Sequence, residues 1–177
     1  DKEQKKYAEK RLIKALDSYG WRLGTGFLST PLILNVLLNI NTDYAYRLLE
    51  NEKMPGWLFM TKMGATTVWE SWEGTEAQDG VGSLNHYSKG AVCEWLFEAM
   101  CGIEVNGKNR FIISPHPGGN FSFAKAVYKS VFGTVVSGWE KKDGKYQYKI
   151  AIPPNCTAVV VLPGKEAINI NSGEYEF

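Results

Sequence analysis

Glu70 stands in "GATTVWESWEG", residues 64–74, with Trp69 before it, Trp72 two places on, and further acids at Glu73, Glu76 and Asp79. A carboxylate beside flat apolar rings can be partly desolvated, a combination that suits the acid–base work of sugar-processing sites. The same residues also make an ordinary exposed loop with an aromatic anchor. Glu70, Glu73 and Glu76 are spaced by three, as on one acidic helix face. Glycines at 64, 74, 80 and 82, with β-branched Thr66, Thr67 and Val68, favour irregular backbone instead, where functional side chains are often displayed. On the residues alone, Glu70 is either a catalytic carboxylate or a surface acid, and Trp69 and Trp72 are either functional neighbours or anchors. His86, in "SLNHYSKG", begins a helix just after the loop, so it either faces the same space as Glu70 or is satisfied by nearby backbone.

Other chemistries lack their parts. There is no phosphate-cradling glycine loop, no G-x-S-x-G elbow and no metal-spaced set of ligands. With His86 and His116 the two histidines, a zinc site or a Ser-His-Asp triad is poorly supplied, and no metal or cofactor is expected. His116, between prolines in "SPHPGG", reads as loop structure. Cys93, Cys101 and Cys156 form an odd set without a C-x-x-C pair. Cys93 and Cys101 are about 12 Å apart if helical, too far for a bridge, so free thiols are expected.

Twenty Lys and Arg against nineteen Asp and Glu give a net charge of +1, which offers no pull toward nucleic acid or an anionic membrane. The basic residues of the first helix are interleaved with acids, as on a solvated face. No apolar run reaches the roughly 18 residues that a membrane span needs. No signal peptide precedes the first helix, and a chain opening directly in a charged helix reads as a piece of something longer. The compartment is therefore unknown. Asn120-Phe-Ser and Asn155-Cys-Thr match the glycosylation triplet, which is frequent by chance.

The elements that must position these residues fall into two classes. "DKEQKKYAEKRLIKALDSYG" predicts an amphipathic helix with Leu12, Ala15, Leu16, Tyr19 and either Tyr7 or Ala8 on one side and Gly20 as its stop. Thr30 is expected to cap the next helix, with Pro31 in its first turn, and Asn41 or Thr42 to cap a third. "LNHYSKGAVCEWLFEAMCGI" again has helical spacing. Beyond Ile103 the runs become short, β-branched or aromatic, with turns between them, and Asp143-Gly144 is the best hairpin signal. The expectation is an α+β chain, helical over 1–102 and a β-sandwich over 103–177.

A family resemblance then enters. "TGFLSTPLILNVL", "PGWLFM", "GATTVWESWEG", "SLNHYSKGAVCEWLF", "ISPHPGG" and "IPPNCTAVVVLP" occur in this order in the C-terminal part of bacterial α-L-rhamnosidases, glycoside hydrolase family 78, which this chain resembles over nearly all its length. The resemblance implies that 1–102 is the closing stretch of an (α/α)6 barrel and that 103–177 is the antiparallel sandwich that follows it. It implies an inverting glycosidase acting on a rhamnose-containing glycoside. Glu70 matches the family's general base, His86 its pocket histidine, and Trp69 and Trp72 fall beside the base. The general acid would lie upstream, so the remainder of the barrel is an implied partner. Where relatives often have R-W-D-G after the base, this chain has Ser71-Trp72-Glu73-Gly74. The rival expectations are a non-catalytic carbohydrate-binding module and an interface module, each a sandwich on a helical stub.

Overall fold

The computed structural model describes residues 1–77, 80 and 82–177, and of Thr75 the backbone alone. They form two compact units, Asp1–Val92 and Cys93–Phe177.

In the first unit, α1 (Lys2–Ser18) opens with a capping box: the Gln4 amide donates to the Asp1 carboxylate at 2.9 Å, and the Asp1 amino group donates to the Gln4 side chain at 3.2 Å. Gly20, at φ +67°, ends it. Of its expected apolar side Leu16 is buried, whereas Tyr7 and Tyr19 stay exposed.

Helices α2 (Thr30–Ile40) and α3 (Thr42–Leu49) form a hairpin through Asn41, whose side chain accepts the Asp43 amide at 2.8 Å. Ile33, Leu34 and Leu37 of α2 and Ala45, Tyr46, Leu48 and Leu49 of α3 are buried. Pro31 sits in the first turn of α2 as expected, but Thr30 does not cap it. Thr30 is already helical, and its hydroxyl donates back to the Gly26 carbonyl at 2.9 Å, fastening the helix start to the preceding loop.

Two further bonds bear on the site. In α4 (Trp57–Lys62), the buried Trp57 indole N–H donates to the Lys89 carbonyl at 2.9 Å. The Ser88 hydroxyl donates to the Phe27 carbonyl. Together they fix the short helix α5 (Tyr87–Gly90) and the residues at its start.

The second unit begins within α6 (Val92–Trp95), which a wide helical turn, Leu96–Met100, continues. Its strands are β1 (Ile103–Val105), β2 (Arg110–Ile113), β3 (Phe123–Ser130), β4 (Gly133–Lys142), β5 (Lys145–Ile152), β6 (Thr157–Val160), β7 (Ile168–Ile170) and β8 (Gly173–Glu176). They make two four-stranded sheets, ordered β1-β2-β6-β7 and β3-β4-β5-β8. The α+β class expected from the sequence holds. One pair, β2 with β6, is parallel, with Phe111 opposite Ala158 and Ile113 opposite Val160; the other pairs are antiparallel. Strand spacing cannot reveal that pairing, because the two strands meet only after the whole β3–β5 meander.

The β4–β5 hairpin turns at Asp143-Gly144 with φ of +51° and +77°, the left-handed pair that matches strand twist. Phe111, Ile113, Val135, Trp139, Ile150 and Val160 are among the buried core of this unit. Two inward polar groups tie its strands to the residues before them: the Trp139 indole N–H donates to the Met100 carbonyl at 2.8 Å and the Ser137 hydroxyl to the Cys101 carbonyl at 2.5 Å. Trp139→Phe removes that donor and leaves the carbonyl unpaired in the interior, at an expected cost of about 1–3 kcal/mol. A shifted denaturation midpoint at unchanged m-value is the check; an unmoved midpoint would contradict it.

Candidate active site

The loop that carries Glu70 is held by backbone pairing. The Glu70 amide donates to the Ser83 carbonyl at 2.8 Å and the His86 amide to the Val68 carbonyl at 2.8 Å. The Thr67 hydroxyl adds a bond to the Leu84 carbonyl. Residues 67–70 thus run antiparallel to residues 83–86 outside any regular sheet, and Glu70 and His86 lie on neighbouring segments. The exposed-helix alternative for Glu70, Glu73 and Glu76 is not what forms: helical geometry is confined to the single turn Gly74–Glu76. Asp79, the last acid of the loop, lies outside the described residues.

The half-buried Glu70 carboxylate accepts the Ser83 amide on Oε2 at 2.8 Å. It also lies over Gly82, where an added Cβ would come within 2.9 Å of Oε2. Among the described residues Glu70 makes no salt bridge. Lys89, 4% exposed, approaches the segment differently: its ammonium donates to the Glu70 backbone carbonyl and sits 3.8 Å from the centroid of the Trp72 ring. Burial pulls the Lys89 pKa down, while the charges of Glu73 and then Glu70 oppose that shift.

Trp69 and Trp72 have different surroundings. The Trp69 ring lies against Gly74, which has φ +59° and where an added Cβ would sit 2.3 Å from the ring. Only glycine fits there, and Trp69 anchors the turn. Trp72 instead faces the cation. The His86 ring lies between those of Phe27 and Tyr87, with centroids 4.6 and 5.1 Å away. Its Nδ1 is buried with no hydrogen-bond partner among the described residues. Buried polar atoms usually find a partner, so this nitrogen calls for a reason.

Sequence reasoning singled out Glu70, His86, Trp69 and Trp72, and the fold brings their segments together. It missed Lys89. No local signal marks it, because His86 precedes α5 with extended backbone and Lys89 is sent inward by packing. His116 belongs to the second unit, its amide donating to the Ala99 carbonyl at 3.0 Å and its pKa lowered by burial. Among the described residues no cluster of His, Cys, Asp and Glu could hold a metal ion, and no helix is long and apolar enough to cross a membrane.

A family model described as the bacterial alpha-L-rhamnosidase 6 hairpin glycosidase domain matches residues 1–100, and one for the bacterial alpha-L-rhamnosidase C-terminal domain matches residues 105–176. The chain belongs to the bacterial α-L-rhamnosidase family. An alpha-L-rhamnosidase of Streptomyces avermitilis is 36% identical over 90% of this chain, which spans 16% of that relative's length. The crystal structure of the S. avermitilis enzyme complexed with L-rhamnose superposes with a TM-score of 0.83 at 32% identity, over 94% of this chain and 19% of that one. The native Aspergillus terreus α-L-rhamnosidase gives 0.87 at 32% identity, over all of this chain and 22% of that one.

Gly82→Ala tests the carboxylate's seat directly. The added methyl meets the mobile end of Glu70 and not backbone, so stability should change by no more than about 0.5 kcal/mol. The Ser83 amide should nevertheless lose its protection from hydrogen exchange as the carboxylate swings away. Unchanged protection would mean that the bond from Ser83 does not hold Glu70.

Proposed function

We propose that this chain is the base-bearing part of an inverting α-L-rhamnosidase that removes terminal L-rhamnose from glycosides. The observation that carries the reading is the Glu70 carboxylate, seated by the Ser83 amide without a salt bridge among the described residues, on a segment paired with that of His86. Family membership and the solved S. avermitilis complex with L-rhamnose support the substrate class.

In this reading Glu70 takes a proton from water as the water oxygen bonds to the anomeric carbon. The bond from that carbon to the glycosidic oxygen breaks, and the departing oxygen takes a proton from a second carboxylic acid on the opposite face. Inversion needs the two carboxyl groups roughly 6.5–9.5 Å apart, so that the water fits between. That acid is supplied by chain outside these 177 residues. The half-buried His86 ring lines the sugar pocket, and Trp72 forms a wall of it. Trp69 contributes by keeping the loop closed. Residues 1–102 act as the end of the catalytic barrel and 103–177 as its appended sandwich. Exposed Leu32 and Val36, four apart on α2, suit burial under the rest of that barrel.

In the full-length gene product, Glu70→Gln should lower kcat on an aryl rhamnoside by at least about 1000-fold with the fold intact. Glu70→Ala should recover turnover with azide, a nucleophile that needs no deprotonation, giving the inverted glycosyl azide. Near-normal hydrolysis by Glu70→Gln would end the reading.

One observation favours a second reading, carbohydrate binding by the sandwich. A cavity of about 750 Å3 lies on the β3-β4-β5-β8 sheet, lined by Phe123, Lys125, Glu140, Gln147 and Tyr175 among others. Phe123 is 66% exposed there, as a sugar platform would be. Calorimetric titration of L-rhamnose separates the two readings. The catalytic reading expects binding to weaken with His86→Ala and not with Phe123→Ala, and the reverse pattern would favour the sandwich.

A further inference from the structure

Lys89 is among the most buried charged side chains described, at 4% exposure, and makes no salt bridge among the described residues. Proteins rarely hide a lysine without a paired carboxylate, because removing an ammonium from water is expensive. The contacts that this one makes in return all lie within four consecutive residues. The Glu70 carbonyl accepts its proton, the Trp72 ring faces it at 3.8 Å, and Glu73 and Glu70 supply the nearest opposing charge. The stem that delivers the ammonium is itself immobilised, since the Lys89 carbonyl accepts the Trp57 indole and the neighbouring Ser88 hydroxyl bonds to Phe27. A cation on a tethered single-turn helix therefore grips the segment "ESWE" at the Glu70 carbonyl and the Trp72 ring, while the Ser83 amide holds the Glu70 carboxylate.

We propose that Lys89 is a positioning residue for the general base: its buried ammonium clamps the Glu70 carbonyl and the Trp72 ring so that the carboxylate and the aromatic wall keep one fixed relation. The proposal rests on Glu70 being the base. It differs from a purely structural role in one measurable respect. Exchanging the ammonium for an apolar side chain of like volume removes the cost of a buried charge, which offsets the lost bond to the Glu70 carbonyl, so the fold does not need this ammonium. Proton abstraction does, because a displacement of about 1 Å at a catalytic group can cost about 100-fold in rate. Stability and turnover should therefore move apart.

The experiment uses the full-length gene product and four variants: Lys89→Met, Lys89→Gln, Lys89→Arg and Glu70→Gln. Lys89→Met should unfold within about 5 °C of the parent's temperature while its kcat falls roughly 10- to 100-fold and KM changes by less than about 5-fold. Lys89→Arg, which keeps a cation able to donate and to face a ring, should regain part of kcat. Lys89→Met with parental kcat beside an inactive Glu70→Gln overturns the clamp and leaves the base intact. An active Glu70→Gln overturns the base reading itself. If Lys89→Met does not fold, Lys89→Gln, which loses the charge facing Trp72 but can still donate to the Glu70 carbonyl, carries the kcat measurement, with a fall of at least about 5-fold expected and a parental kcat overturning the clamp. Failure of both neutral variants to fold makes Lys89 a structural residue and overturns the proposal, as does an equal loss of stability and rate that arginine does not relieve.

Discussion

The candidate site depends on one constraint, the antiparallel pairing of residues 67–70 with residues 83–86. Two backbone bonds of 2.8 Å make it, one at Glu70 and one at His86. Glycine-rich chain between the two segments would otherwise leave the carboxylate and the imidazole free to wander, since neither sits inside a long helix or a sheet. The pairing is too short and irregular to stand alone. It stands because α5 is fastened from outside, by Trp57 through the Lys89 carbonyl and by Ser88 through Phe27.

Within "WESWEG" each residue type answers to a different force. Trp69 packs on a glycine that tolerates no side chain, and so closes the turn by sterics. Glu70 is oriented by a backbone amide. Trp72 is oriented by a cation, an attraction that gains strength where water is excluded. The acids follow the same division, with Glu73 part of the field around Lys89. The paired tryptophans, alike in sequence, thus separate into a loop anchor and a partner of Lys89.

Membership of the bacterial α-L-rhamnosidase family gives these local facts their setting, and the chain spans about a fifth or less of the relatives compared. The two family models divide the chain at 100 and 105, and the compact units divide it at 92 and 93. The difference falls across α6 and the wide turn after it, residues that belong to the helical domain by sequence pattern but pack with the strands through Trp139 and Ser137. Contacts decide the second boundary and pattern decides the first.

Sequence alone determined what depends on neighbours along the chain: a cap for α3 at Asn41 or Thr42, which the fold resolves to Asn41, the stop at Gly20, the Asp143-Gly144 hairpin and the change from helical to strand periodicity. These are short-range effects of side-chain hydrogen bonding and of permitted backbone angles, and residue type carries them. The tryptophan–glutamate composition of the loop drew attention to Glu70 but left it either a catalytic carboxylate or a surface acid. Tertiary structure decided the rest. It turned the Thr30 hydroxyl away from its helix, paired β2 in parallel with β6, and sent Lys89 into the interior against Glu70 and Trp72. Each of those outcomes joins groups brought together by packing, and the energy of burying a charge or pairing a strand depends on surroundings that no local window of sequence contains.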